Sequence, residues 1–380
     1  MSVPVARILD LGILEHKSIF LFGPRQTGKT FLLRSRYPDA HFTDLLHTDV
    51  LRRLARHPES LREEVRALPT SRPIIIDEIQ RLPELLNDIH SLIEEGYRFV
   101  LTGSSARKLR RGASNLLAGR ALERRLFPFV SAELDGMDIG RVLQFGALPP
   151  VYDSPIPKEE LLAYVSTYLR EEIQAEGLVR RLEPFLHFLD IAGLSNGELL
   201  NYANLASDIG VSAKTVREYY QILEDTLIGQ MVPCFGKTNK RKPISTPKFY
   251  LFDVGVANAL AGRFSVLPGT EAYGRCLEHL VFTEIRAFLS YSRDDRALTF
   301  WRSTHGQEVD FLIGDETAIE VKATTHVQPK HLRGVKALAE DVTLKHKIVV
   351  SMDPQPRRLD DGLVVLPLKD FLERLWARAL

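Results

Sequence analysis

The sequence predicts an α/β protein in three parts: a parallel-sheet domain over residues 1–150, a helical domain over 151–245 and a second α/β domain over 246–380. Three observations lead there. Short unbroken apolar runs, Ile19–Phe22, Ile74–Ile76 and Phe99–Leu101, alternate with amphipathic stretches, as strands do when helices cover both faces of a sheet. Pro149, Pro150 and the Ser154-Pro-Ile-Pro segment then break the pattern, and helical periodicity dominates from Glu159 to Leu227. Beyond the basic stretch Gly236–Pro243, period-two alternation returns in Thr299–Arg302, Glu308–Ile313 and Ala318–Lys322. A chain of 380 residues also needs more than one core, since a single core stops growing near ~250–300 residues.

Composition narrows the classes. The chain is 44% hydrophobic and 26% charged, which excludes general disorder. Its 50 basic and 49 acidic residues leave a net charge of +1, so a polyanion would have to meet a local patch. Cys234 and Cys276 lie far apart in unlike contexts, which points to a reducing compartment rather than a disulfide framework. No apolar run approaches the ~18 residues of a membrane span, and Met1–Ile19 lacks a leader's basic-then-apolar pattern. The expectation is a cytoplasmic protein with no membrane partner.

The first motif is Gly23-Pro24-Arg25-Gln26-Thr27-Gly28-Lys29-Thr30, a G-x-x-x-x-G-K-[ST] loop between an expected strand and an expected helix. Glycines let the backbone wrap a phosphate, helix N-terminal amides face the anion, Lys29 reaches the terminal phosphates and Thr30 offers its hydroxyl to Mg2+. The second motif, Ile74-Ile-Ile-Asp77-Glu78, ends a buried strand with an acid for the Mg2+ shell and an acid to orient an attacking water. ATP and Mg2+ are therefore the expected ligands. Phe99-Val-Leu-Thr-Gly-Ser-Ser105 is a further strand ending in small polar residues, with Ser104 taken as the catalytic contact among Thr102, Ser104 and Ser105. Arg120 is the candidate arginine offered to a neighbouring subunit's nucleotide, against the plainer reading of a salt-bridged surface residue.

The spacing of Gly23–Thr30, Ile74–Gln80, Leu101-Thr-Gly-Ser-Ser and Leu117-Ala-Gly-Arg resembles a prokaryotic AAA-type ATPase family. The resemblance extends over nearly the whole chain, including Lys248–Gly255 and Glu308-Val-Asp-Phe311. It implies an ATPase domain, a winged helix and a terminal domain similar to restriction-endonuclease-like folds. A Ser-rich element stands where many AAA relatives carry Asn, which leaves the sensor residue open.

The middle part reads as a helix-turn-helix: Glu198–Ala203, Leu205–Ile209, a turn at Gly210-Val-Ser212, then a helix over Ala213–Asp225. Lys214, Thr215, Arg217 and Tyr220 are expected on its outward face, with Lys237, Lys240, Arg241 and Lys242 on a following wing, together a patch for DNA phosphates and bases. A protein-docking module is the competing reading.

In the last part a hairpin centred near Asp315 sets Asp310 opposite Glu320, with Lys322 on the same face and Ile319 and Val321 packing inward. Opposed carboxylates need a cation between them, so Asp310 and Glu320 are candidate metal ligands and Lys322 a candidate for phosphate chemistry. The pattern is similar to the D…E-x-K core of restriction-endonuclease-like nucleases, and Glu278 matches that family's helical acid. The alternative has Lys322 merely bridging the two acids at an exposed sheet edge. The combined expectation is an ATPase acting on DNA, as a homo-oligomer with a hexamer among the expected forms. The alternative is a nucleotide-dependent switch that binds protein and carries an inactive nuclease-like domain.

Overall fold

The computed structural model describes residues 5–105, 117, 119–169, 182–238 and 240–380. Residues 170–181 of the expected helical stretch lie outside them. The chain divides into two compact units, one of residues 6–128 with 225–228, the other of residues 1–5, 129–224 and 229–380. Residues 129–150, grouped by sequence with the first domain, instead bury Val142, Leu143 and Ala147 in the second unit's core.

The first unit is a five-stranded parallel sheet of β1 (Ser18–Phe22), β2 (His41–Asp44), β3 (Ile74–Asp77), β4 (Phe99–Gly103) and β5 (Ala121–Arg125), in the order β2-β3-β4-β1-β5. Parallel register sets Phe20 beside Leu101 and Ile76 beside Leu101 from the other side. The strand ends after Phe22, Asp77 and Gly103 therefore meet at one edge of the sheet. Leu54, Leu61, Val65, Leu86, Ile89 and Leu92 come from the helices Thr48–Arg56, Glu59–Arg66 and Leu86–Glu94 to cover Ile74, Ile76 and Phe99. Each such side chain contributes about 1.5–3 kcal/mol on leaving water.

The second unit begins its helix-turn-helix with Asn201, whose side chain accepts from the amides of Ala203 and Asn204 and caps the helix Tyr202–Ile209. Gly210 at φ 75° ends that helix, and Ser212 caps the next, Ala213–Asp225, by accepting from Thr215 N at 3.1 Å. The antiparallel pair β6 (Gly229–Val232) and β7 (Lys248–Leu251) follows as a wing-like hairpin. β7, read from sequence as the start of the third domain, thus pairs with the middle part.

A six-stranded sheet completes this unit: β8 (Leu298–Arg302), β9 (Glu308–Ile313), β10 (Thr317–Lys322), β11 (His346–Ser351), β12 (Arg357–Arg358) and β13 (Val364–Pro367), ordered β12-β13-β11-β10-β9-β8. β8, β9 and β10 form an antiparallel meander, and β11 lies parallel to β10. The helix Glu271–Ser292, capped by Thr270, packs Leu277, Val281 and Ile285 with Phe311, Ile319 and Val321 on one face. Val309, Leu312 and Ala318 share the other face's core with Val335 and Leu338. β10 is thus interior to a sheet covered on both sides, not an exposed edge.

Candidate functional site

The loop after β1 is shaped by its backbone. Gln26 at φ 65° and Gly28 at φ 91° turn the chain into the helix Lys29–Arg36. A Cβ at Gly23 would come within 2.4 Å of Leu126 O, so only glycine fits there. Arg7 steadies the loop from outside, donating to Thr27 O at 2.7 Å and Phe127 O at 2.6 Å. Lys29 is buried and turned back on the loop, with Nζ 2.7 Å from Gly23 O and 3.1 Å from Pro24 O.

The acid pair sits across the converging strand ends. Thr30 Oγ1 donates to Asp77 Oδ2 at 2.7 Å, and Thr102 Oγ1 donates to the other Asp77 oxygen. Because β4 intervenes between β1 and β3, Thr102 can also accept from Glu78 N at 3.1 Å. Glu78 adopts φ 61°, and its Oε2 accepts from Gln80 Nε2 and, at 3.3 Å, from Ser104 Oγ. Ser104 therefore touches the Glu78 carboxylate. Gln80, which also donates to Ser104 at 3.0 Å, was not singled out from sequence; its only signal was a polar residue two places after the acids.

Arg120 lies elsewhere. Ser18 pairs with Ala121, so Arg120 is level with Lys17 and roughly 20 Å along the strand direction from Gly23. It forms an exposed ion pair with Glu94 at 2.8 Å.

On the helix-turn-helix, Lys214 is exposed and 4.0 Å from Glu218, Arg217 lies 4.9 Å over the Tyr202 ring, and Thr215 is half-buried against Ser212 at 2.9 Å. Tyr220 points inward, contrary to expectation, its ring 4.8 Å from those of Phe188 and Phe249. The segment after β6 is not a free wing, because it lines the edge strand β8: Phe235 N donates to Phe300 O, Ile244 N to Arg302 O and Thr304 N to Lys242 O. An edge strand's unpaired backbone groups favour such cover. Arg241 is consumed there, donating to Ala337 O and pairing with Glu340 at 2.6 Å and Asp341 at 3.4 Å. Lys240 and Lys242 remain exposed, and Lys237 stands 3.9 Å from Asp315.

In the six-stranded sheet the β9–β10 ladder runs from Ile313↔Thr317 to Phe311↔Ile319. β8 pairs Thr299 with Leu312 but Trp301 with Val309, so β9 carries one extra residue in the span of Asp310 and Phe311. The Asp310 carboxylate accepts from Val321 N at 2.7 Å, where regular pairing would place a backbone carbonyl. Glu320 pairs with Lys322 through Oε1, while its buried Oε2 has no partner. Lys248 joins Glu278 at 3.1 Å and Glu308 at 2.8 Å, Tyr250 OH donates to Glu278, and Arg302 meets Glu308 at 3.1 Å. Lys248, Tyr250 and Glu308 were not expected in this cluster; a lysine inside the apolar strand Lys248-Phe-Tyr-Leu was the available signal.

Burial, with the charge of Glu278, pushes the Asp310 carboxyl up to about 6. Burial and Asp310 raise Glu320 well above the usual carboxylate range. For Glu278 burial works upward too, but Lys248 and the Tyr250 hydroxyl outweigh it and hold the group below its ordinary value. Among the described residues no three His, Cys, Asp or Glu side chains are grouped to hold a metal, and no helix is long and apolar enough to cross a membrane.

Strand order, glycine loop and acid pair define an AAA-type P-loop domain, and residues 15–134 match the model of the AAA domain. Residues 137–266 and 273–371 match two domains of unknown function, DUF8612 and DUF4143. The chain is similar to the uncharacterized protein MJ1544 of Methanocaldococcus jannaschii, 23% identical over 345 residues, which cover 82% of this chain and 75% of that protein. Two solved structures show weaker likeness. The Aeropyrum pernix ORC1 protein in complex with DNA is 16% identical, covering 65% of this chain and 86% of its own, at TM-score 0.28. The replication initiator DnaA bound to AMPPCP and single-stranded DNA is 15% identical, covering 56% and 85%, at TM-score 0.30. Likeness at these TM-scores decides neither fold nor ligand.

Proposed function

We propose that this chain hydrolyses ATP at Gly23–Thr30 and engages DNA through the helix-turn-helix, working as a homo-oligomer. The observation that carries the first part is the meeting of Thr30 and Asp77 at 2.7 Å beside a loop that tolerates no side chain at Gly23. A buried acid facing a hydroxyl fits Mg2+, which Thr30 and Asp77 would hold and which would neutralise charge on the phosphates. Lys29, released from the Gly23 and Pro24 carbonyls, contacts the terminal phosphates. Glu78 orients the attacking water, with Ser104 and Gln80 fixing its carboxylate. Arg120 serves the site of a neighbouring subunit, where it neutralises charge in the transition state.

A second reading concerns the acid cluster: metal-dependent phosphodiester cleavage by a restriction-endonuclease-like domain. It is supported by the partnerless buried oxygen of Glu320 and by a meander β8-β9-β10 followed by parallel β11 beneath the helix that carries Glu278. Mg2+ there would be held by Asp310 and Glu320, since one or two carboxylates with water complete its shell.

The test is ATP turnover and Mg2+- or Mn2+-dependent nicking measured with single-stranded, duplex, forked and four-way DNA. Stimulation of turnover by one of these supports the DNA reading. Turnover indifferent to all of them favours the protein-binding switch.

A further inference from the structure

The acid cluster contains four carboxylates, Glu278, Glu308, Asp310 and Glu320, but they are not equivalent. Glu308 is saturated, one oxygen on Lys248 at 2.8 Å and the other on Arg302 at 3.1 Å. Glu278 shares the same Lys248 at 3.1 Å and takes the Tyr250 hydroxyl on that oxygen. Lys248 itself is buried, 4% exposed, and belongs to β7 of the hairpin rather than to the six-stranded sheet. Its ammonium therefore bridges two acids in the way a divalent cation would.

The remaining pair differs. Asp310 has an amide on one oxygen, and Glu320 has Lys322 on Oε1 and nothing on Oε2, although the residue is only 5% exposed. Three cationic side chains thus face four carboxylates, so with all four ionised, as ligation of a metal requires, one negative charge is left uncompensated beside the orphaned oxygen. A buried acceptor without a partner is destabilising, because it has given up water and gained nothing in return. One divalent ion at Asp310 and Glu320 removes that cost; a second would place excess positive charge beside Lys248 in a low-dielectric interior.

We propose that the cluster is a one-cation site in which Lys248 is the built-in second cation, occupying the Glu278–Glu308 pair, while a single divalent ion binds at Asp310 and Glu320. The proposal rests on the metal reading of the cluster and adds to it the number of ions and a positioning role for a hairpin lysine. Glu278, the helical acid, is thereby kept from ligating metal.

The experiment titrates Mn2+ into the nucleotide-free full chain and reads free Mn2+ by its EPR signal. The same titration of an Asp310→Asn, Glu320→Gln double variant is subtracted, so that ions at Thr30 and Asp77 cancel. A difference of one ion per chain is expected, rising to two in Lys248→Met and staying at one in Lys248→Arg. If Lys248→Met fails to fold, as judged by near-UV circular dichroism, Lys248→Met with Glu278→Gln removes lysine and acid together and is expected to bind one. A difference of two in the wild type overturns the one-cation inference while leaving the metal reading standing. One ion in a folded Lys248→Met removes the role given to Lys248. No difference in the wild type or in any Lys248 variant removes the metal reading itself.

Discussion

Replacing Glu78 by Gln is the most informative single change at the nucleotide site. The amide keeps the shape of the side chain and an oxygen that can accept from Gln80 Nε2, and the backbone bond from residue 78 to Thr102 Oγ1 at 3.1 Å is untouched. Asp77, Thr30 and Lys29 keep their partners, so nucleotide affinity is expected to stay within about threefold, below ~1 kcal/mol. What disappears, on the proposed mechanism, is the basic oxygen that draws on the attacking water. A positioned general base contributes about 10²–10⁴ in rate, equivalent to about 3–5 kcal/mol of barrier. Turnover followed by phosphate release, alongside binding of a fluorescent ATP analogue, separates the two quantities. Lys29→Ala provides the contrast, since it removes the phosphate contact itself and weakens binding. Hydrolysis by Glu78→Gln within about threefold of wild type would refute the assignment of Glu78, whatever the binding result.

Other outcomes follow from the same geometry. Removing charge at Lys214 and Arg217 is expected to weaken DNA binding and to lower the salt slope by roughly 0.9 for each phosphate that is no longer neutralised, whereas Arg241→Ala should instead lower thermal stability, because its guanidinium holds Glu340 and Asp341; equal binding losses in the two variants would contradict this division. Mixing Arg120→Ala with Lys29→Ala subunits should restore part of the ATP turnover absent from either alone, and no recovery at any ratio rules out action in trans. Burial pushes the Glu284 carboxyl up from 4.5 to about 7, against the Trp376, Ser131 side-chain and Ser131 amide hydrogen bonds that favour its charged form. A raised folded pKa means stability is fully present below the unfolded value and lost as pH rises to about 7, a loss of order 3 kcal/mol. Glu284→Gln lacks this loss, so its stability relative to wild type should improve between pH 4.5 and 7 in denaturant titrations; a gap independent of pH would refute the shift.

Local chemistry made part of this protein readable from sequence alone. Gly23 and Gly28 announce a loop because a Cβ at Gly23 would strike Leu126 O and Gly28 takes φ 91°, and the apolar runs at Ile19, Ile74 and Phe99 announce buried strands because no side of them is polar. The hairpin centred near Asp315 is legible for a similar reason: Gly314 takes φ 63° and period-two alternation sets the pairing of Ile313 with Thr317. These features depend on a few neighbouring residues, so the order of the letters suffices to determine them.

Tertiary structure decided which polar groups find partners. That Thr102 lies between the P-loop and the acids follows from β4 inserting between β1 and β3, an ordering no local pattern encodes. Arg241 looked like a free wing charge, but the edge of β8 needed hydrogen-bond partners and drew its segment toward Glu340 and Asp341. Tyr220 turned inward because Phe188 and Phe249 offered it an apolar site. Glu278 was recognisable as an acid on an amphipathic helix, yet its chemistry is set by Lys248 and Tyr250, 30 and 28 residues away. Charges and hydrogen-bond donors act through space, at a few ångströms, so their roles belong to the fold; sequence spacing determines the backbone's local turns and faces, and leaves the pairing of its polar groups to the packing.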